Sequence, residues 1–182
     1  MLLSQTQQLH SFANIGSISE VRGNAQVLRD KPYGAELAFN IQQMDDVRTE
    51  AGRVAITFED DSTVKLTEHS KLVIDEYIYD PDPSKSKMAL KFASGTARFI
   101  TGKFNNKSNI SIRTPTADIA IRGTDFTCTV DELGRSLVIL LPDENGISSG
   151  EILVSTAMGS VTLNKPYQAT TVSVYENNPT KP

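Results

Sequence analysis

Apolar and polar residues alternate along most of the chain after residue 17. This period of two is typical of β-strands that bury one face, and clusters rich in Gly, Pro, Asn and Asp between the alternating segments predict turns. Helical spacing occurs only within residues 1–14, where Leu2, Leu9 and Phe12 fall loosely on one face. The pattern predicts an all-β domain preceded by a short N-terminal arm or helix. The predicted strands lie near residues 25–29, 53–66, 71–79, 88–92, 97–100, 109–114, 118–121, 126–130, 137–141, 151–156, 160–164 and 170–175.

A corner motif recurs along the chain. Thr49, Thr114 and Thr156 each follow a strand-like segment and lie five residues before the first apolar residue of the next one. The fourth residue of each motif is small: Gly52, Ala117 and Gly159. The copies are unevenly spaced, unlike those of a strict solenoid. The repeat therefore predicts a wound β-sandwich or β-roll of short strands with repeated Thr/Gly corners.

The densest pattern is TPTADIAIRGTDF, residues 114–126. Apolar residues occupy even positions up to Ile112, odd positions at Ile119 and Ile121, and even positions again from Phe126. Successive strand side chains point to opposite faces, so the buried face must change parity twice. We expect three strands separated by a proline corner and a glycine corner.

The second corner contains polar residues on both sides of a glycine. Gly123 permits a left-handed or bulged backbone, so its replacement by Val is expected to unfold the domain. Arg122 and Asp125 are spaced for a local ion pair or for a clamp on the corner backbone. The alternative is that Arg122 grips an anionic ligand. We interpret one set of residues as a structural corner: Thr114, Pro115, Arg122, Gly123, Thr124, Asp125 and Phe126.

Composition narrows the functional classes. The 182 residues carry a formal net charge of −4 with scattered Lys and Arg, which does not favour a nucleic-acid partner. The N-terminus lacks the features of a signal peptide, and no apolar run has the length of a transmembrane helix. Cys128 is the only cysteine, so no intrachain disulfide is expected. It alternates with Phe126 and Val130, which predicts that it faces the core.

Catalytic and cofactor motifs are not evident. The two histidines, His10 and His69, share no motif with an activated serine, and no phosphate-binding loop occurs. Asp80 and Asp82 are candidates for a cation site, since alternate carboxylates can offer oxygen ligands to Ca²⁺, but prolines stiffen this segment. We expect a loop there, no cofactor and no enzymatic activity; a carbohydrate-acting or metal-dependent enzyme is the third alternative.

The 114–126 string resembles the signature of the FecR family, T-P-x-A-x-x-x-(I/V)-R-G-T-(D/E)-F. Further resemblance lies in residues 16–30, 45–75 and 90–104, where Asp60-Asp61-Ser62 stands in place of the usual D-G-S. The resemblance implies an all-β FecR-like domain without catalytic residues. The best-known members of this family act in the bacterial periplasm or at the cell surface and relay signals from an outer-membrane transporter to a sigma factor.

The expected domain limits are an N-terminal arm at 1–16, a FecR-like domain at 17–175 and a flexible tail at 176–182. FecR-like domains also occur in tailed-phage structural proteins. Our first hypothesis is therefore a virion component of the tail or baseplate, assembled in the host cytoplasm, that docks on other structural proteins or on itself. The alternative is a periplasmic or surface signalling or ligand-binding domain. The candidate docking residues are Leu2, Leu3, Leu9 and Phe12.

Overall fold

A computed structural model of the chain describes residues 12–104, 109–175 and 178–182. Within these ranges the regular structure is sixteen β-strands and one 3₁₀ turn, Pro83–Lys85, so the predicted all-β class is confirmed. The strands are β1 Asn14–Arg22, β2 Ala25–Leu28, β3 Pro32–Gly34, β4 Asn40–Gln42, β5 Asp46–Thr49, β6 Arg53–Phe58, β7 Thr63–Leu66, β8 Lys71–Ile78, β9 Lys87–Ile100, β10 Asn109–Arg113, β11 Asp118–Arg122, β12 Asp125–Val130, β13 Ser136–Leu140, β14 Glu151–Thr156, β15 Gly159–Leu163 and β16 Ala169–Val172.

The strands form two sheets that share β9. Sheet A has the order β4-β1-β6-β7-β9-β12-β13-β16 and is antiparallel throughout. Sheet B has the order β3-β2-β5-β8-β9-β10-β11-β14-β15, in which only the β9–β10 pair is parallel. The chain passes repeatedly from one sheet to the other, which is the wound β-sandwich expected from the corner repeat.

The strand β9 bends where it passes between the sheets. Its first half pairs with β8 and β10, and its second half, from Gly95, pairs with β7 and β12. Gly95 has a φ of +94°, and a Cβ atom there would lie 2.2 Å from the Ser70 Oγ. The sequence pattern predicted two strands here, near residues 88–92 and 97–100. The structure joins them into one strand, and the bend at Gly95 is what interrupts the alternation.

The core lies between the inner faces of the two sheets. Ile112, Ile119, Ile121 and Phe126 are all buried, which confirms that the inward face changes parity at both corners. The first change falls between β10 and β11 of sheet B, and the second lies where the chain crosses from β11 to β12 of sheet A. The buried cluster is mainly aliphatic, with a stacked pair of rings, Phe99 and Phe126, whose centroids are 5.0 Å apart.

The three threonine corners join strands as predicted, but in two different ways. The corners at Thr114 and Thr156 connect antiparallel neighbours within sheet B. The corner at Thr49 instead carries the chain from β5 in sheet B to β6 in sheet A. The Thr49 hydroxyl donates to the Thr67 carbonyl (2.6 Å) and accepts from the Ser70 N–H (2.8 Å), so it ties this crossing to a neighbouring loop.

The chain ends show two local features. β1 begins at Asn14, within the segment assigned to the N-terminal arm. Near the other end, the Thr180 N–H donates to the Thr171 carbonyl of β16 (3.1 Å). Leu2, Leu3 and Leu9 lie outside the described residues, whereas Phe12 is described and 47% exposed. No helix among the described residues is long and apolar enough to cross a membrane.

Candidate docking surface and the signature corners

The Thr114 corner is held by a buried group of hydroxyls that joins the two sheets. Thr114 Oγ1 accepts from the Ala117 N–H (3.0 Å) and lies 2.7 Å from the Ser136 Oγ. The Ser136 Oγ is also 2.7 Å from Thr116 Oγ1, which donates to the Gly134 carbonyl (2.9 Å). The corner belongs to sheet B, and Ser136 belongs to β13 of sheet A. The Thr-Pro-Thr part of the signature therefore fixes the two sheets at this end of the sandwich.

Apolar side chains are exposed around this corner. Met158 at the β14–β15 turn is 65% exposed, Leu133 in the β12–β13 loop is 73% exposed, and Val174 and Tyr175 after β16 are 58% and 92% exposed. Two surface depressions share Val174; one also contains Pro115 and Met158, and the other Leu133 and Tyr175. We call these five residues, Pro115, Leu133, Met158, Val174 and Tyr175, the end surface. A group of exposed apolar side chains on a fixed frame is typical of a protein-docking surface.

The Gly123 corner lies at the opposite end of β11 from the Thr114 corner. Gly123 has a φ of +56°, as the sequence predicted, and no atom lies within 4 Å of the position that a Cβ would take. The glycine is thus required by its backbone conformation and not by close packing around a side chain. Gly123→Val is therefore expected to destabilise the domain through backbone strain, since the position itself has room for a side chain.

The predicted ion pair between Arg122 and Asp125 is not formed. Asp125 receives two hydrogen bonds from Arg98 of β9, Nε to Oδ1 at 2.9 Å and Nη2 to Oδ2 at 2.6 Å. These bonds raise the pKa of Arg98 above its ordinary value. Arg122 Nη1 lies 3.6 Å from Oε1 of Glu151 in β14, and the Arg122 side chain is 68% exposed. The chain changes sheets between Arg122 and Asp125, and each side chain therefore pairs within its own sheet.

Thr124 and Phe126 point inward from the same corner. Phe126 is fully buried and stacks on Phe99. Thr124 is 3% exposed; its N–H donates to Thr101 Oγ1 (3.2 Å) and its carbonyl accepts from the Thr101 N–H (2.9 Å). Its own hydroxyl has no hydrogen-bond partner among residues 12–104, 109–175 and 178–182. The backbone of Thr124 and the ring of Phe126 therefore help to hold this corner in place.

A buried carboxylate lies in the turn between β6 and β7 and was not predicted. Asp60 is fully buried; Oδ1 accepts from the Tyr77 hydroxyl (2.9 Å), and Oδ2 accepts from the Ser62 hydroxyl. Burial, together with the charge of Asp60, raises the pKa of Tyr77 above its ordinary value. Between Asp60 and Ser62, Asp61 has a φ of +65°, the conformation that the glycine of a D-G-S turn adopts easily. The string Asp60-Asp61-Ser62 is the sequence signal for this turn, but it does not predict that Tyr77 donates to Asp60.

The two candidate metal ligands, Asp80 and Asp82, accept hydrogen bonds from residues of the same loop. The Asp80 carboxylate accepts from the Asp82 N–H (2.8 Å), and the Asp82 carboxylate accepts from the N–H and hydroxyl of Ser84. Asp82 thereby caps the 3₁₀ turn. In the part of the chain that the structure describes, no group of three His, Cys, Asp or Glu residues is placed to hold a metal ion.

The remaining reactive side chains are placed as follows. Cys128 is fully buried, as predicted, and desolvation raises the pKa of its thiol to about 12. His69 lies in an exposed turn with a φ of +55°, and its N–H donates to the Glu50 carbonyl. His10 lies outside the described residues.

Comparison with known families identifies the domain. The sequence pattern of FecR proteins matches residues 45–162, which is more than half of the chain. The chain belongs to the FecR family. The matched FecR region runs from the start of β5 into β15, whereas β1 to β4 and β16 add strands outside it. No curated protein matches the chain.

The fold also occurs in proteins of known structure. Two crystal structures of a candidate anti-sigma factor from Parabacteroides distasonis superpose with TM-scores of 0.56 and 0.55. Each is 15% identical in sequence, and each match covers 70% of this chain. The match covers 54% of the crystallised protein, so this chain corresponds to about half of its length. At this level of identity the similarity establishes a shared fold.

Proposed function

We propose that this chain is a non-catalytic FecR-type signalling domain that binds another protein through the end surface. The family membership supports the regulatory class, and the FecR-like fold is shared with a candidate anti-sigma factor. The observation that carries the binding proposal is the exposure of Leu133, Met158, Val174 and Tyr175 around a corner fixed by buried hydroxyls.

The periplasm or the bacterial cell surface is the proposed location, in keeping with the family. The virion hypothesis receives no support from the family match or from the structural neighbours. A docking role was expected under that hypothesis for four residues, Leu2, Leu3, Leu9 and Phe12. Of these four, Phe12 lies within the described part of the chain. The end surface is the better candidate, because its side chains come from four separated segments that the fold brings together.

The signalling proposal is tested in the bacterium that carries the gene. We expect deletion of the gene to change transcription of the genes controlled by one sigma factor, measured by RNA sequencing. The chromosomal double variant Met158→Asp, Tyr175→Asp should reproduce this change, because charge opposes burial of these side chains in an interface. The matched control is Tyr167→Asp, an exposed tyrosine (70%) in the loop before β16.

The possible outcomes separate the two parts of the proposal. Unchanged transcription after deletion contradicts a signalling role. A response to deletion but not to the double variant contradicts docking at the end surface. An equal response to the double variant and to Tyr167→Asp shows that surface charge in general, and not this surface, is responsible.

A further inference from the structure

Three of the four outer strands have edges that the protein protects. β3 is three residues long and begins with Pro32, which has no N–H to offer. At β4, Arg29 donates to the Asn40 carbonyl (3.1 Å), and the Gln42 N–H donates to the Asp45 carboxylate (2.8 Å). At β16, Thr180 pairs with Thr171. Proline, side-chain caps and a covering segment are all known means of preventing strands from pairing with other molecules.

In the part of the chain that the structure describes, the fourth outer strand, β15, has no such protection along its middle. Thr156 and Gly159 pair across the two-residue turn that joins β14 to β15, so hydrogen-bonded and non-hydrogen-bonded pairs alternate from there. Ser160 and Thr162 fall at non-hydrogen-bonded positions, and their N–H and C=O groups point away from β14. No described residue bonds to these groups. The next outward N–H, that of Asn164, is capped by the Gln168 side chain (2.8 Å).

We propose that β15 pairs with β15 of a second copy of this chain, antiparallel and centred on Val161. In this register Ser160 faces Thr162 of the partner copy, and each pair exchanges two backbone hydrogen bonds. Val161 then faces its symmetry mate in the close, non-hydrogen-bonded pair. Sheet B continues from one molecule into the other, and the interface has twofold symmetry.

A second copy fits this edge for reasons of charge and shape. The three facing residues, Ser160, Val161 and Thr162, are uncharged, so a symmetric pairing brings no like charges together. Ser–Thr pairs across strands can bond through their hydroxyls, and Val161, which is half-buried at the margin of the core, gains apolar contact. The Asn178 side chain lies beside Gly159 on the side where a Cβ would stand, at the turn end of the strand.

The expected dimer is weak. The free part of the edge is short, and the interface falls below the class of roughly 1,200 Å² that stable complexes exceed. Its formation therefore depends on protein concentration. The pairing involves β15 and does not depend on the signalling function proposed for the end surface.

Sedimentation velocity of the full chain over a concentration series tests the pairing. We expect the weight-average sedimentation coefficient to rise with concentration for the wild type and to stay constant for Thr162→Pro, which removes an outward N–H. Thermal unfolding of Thr162→Pro should remain close to that of the wild type, whereas Val161→Pro, which removes a bond to β14, should unfold at a lower temperature. A wild-type protein that stays monomeric at the highest concentration attainable overturns the proposal.

Disulfide trapping tests the register. In a Cys128→Ala background, Val161→Cys should give a covalent dimer under mild oxidation, because the two residues face each other at the twofold axis. The matched control is Ser155→Cys, which lies one strand further in on β14, opposite Ser160. Equal dimer yields at the two positions, or none at residue 161, would overturn the proposed register.

Discussion

The backbone of Gly150 packs directly against the carbonyl group of Gly123: a Cβ atom at residue 150 would lie 1.9 Å from the Gly123 oxygen. The glycine that tolerates no side chain at this corner is therefore the one before β14, outside the signature. Gly150→Ala should lower the free energy of unfolding by about 3 kcal/mol or more, because backbone must move to relieve the overlap. Urea denaturation measures the loss.

Gly123→Ala is the matched control for this prediction. Its Cβ has open space, so the cost is that of a left-handed backbone, about 1–2 kcal/mol. A larger loss for Gly123→Ala than for Gly150→Ala would contradict the close approach of the two backbones.

The same substitution should have opposite effects at two threonines of the signature. Thr124→Val removes a buried hydroxyl that lacks a partner, so the free energy of unfolding should rise by about 1 kcal/mol. Thr114→Val removes a hydroxyl that accepts from the Ala117 N–H and contacts Ser136, and it should cost about 1–3 kcal/mol. Urea denaturation of both variants measures whether the free energy of unfolding rises or falls in each. Destabilisation by Thr124→Val would indicate a bonded hydroxyl in solution.

Removal of the Tyr77 hydroxyl should destabilise the domain and change its response to alkali. Tyr77→Phe deprives the buried Asp60 carboxylate of a donor, at a cost of about 1–3 kcal/mol near neutral pH. Because the folded pKa of Tyr77 is raised, its protonated form contributes stability that is present below about pH 10 and is lost as the pH rises further. The variant should therefore lose less stability than the wild type above pH 10.

Thermal unfolding from pH 8 to 11 measures this difference. Tyr79→Phe serves as the control, since Tyr79 is 44% exposed and its ring contacts Phe104, as the ring of Tyr77 does. The interpretation fails if Tyr79→Phe flattens the alkaline decline as much as Tyr77→Phe does.

Cys128 should be unreactive in the folded protein. Its thiol is fully buried with a pKa raised to about 12, so both access and thiolate formation are suppressed. A thiol reagent such as Ellman's reagent should label it only as the protein unfolds in urea. A Leu133→Cys variant in a Cys128→Ala background supplies an exposed thiol for comparison, and equal rates in the two proteins would exclude burial of Cys128.

The raised thiol pKa also has a consequence for stability. The folded state favours the protonated thiol. Its contribution to the free energy of unfolding is therefore fully present below pH 9, the ordinary pKa of a thiol, and is lost as the pH rises toward 12. Cys128→Ala should remove this part of the alkaline decline, while the cavity that it leaves lowers stability at every pH.

The inward face of the strands could be read from the sequence because it depends on local alternation. The parity changes between Ile112, Ile119 and Phe126 place the two corners correctly. Pairing partners depend on which strands become neighbours. Arg98 lies 27 residues before Asp125, and local alternation does not show that β9 and β12 pair, so Arg98 was not identified as the partner of Asp125. The burial of Asp60 was missed for the same reason, since its donor Tyr77 lies in the other sheet.

The position of β9 has a consequence for synthesis of the chain. All eight preceding strands lie on one side of β9 in both sheets, and all seven following strands lie on the other. A nascent chain that ends soon after Ile100 can thus form half a sandwich, with both halves of β9 presenting unpaired backbone groups. These groups acquire partners only when β10 and β12 emerge from the ribosome. Until then, these unpaired backbone groups of β9 are open to pairing with other chains, which is a route to aggregation.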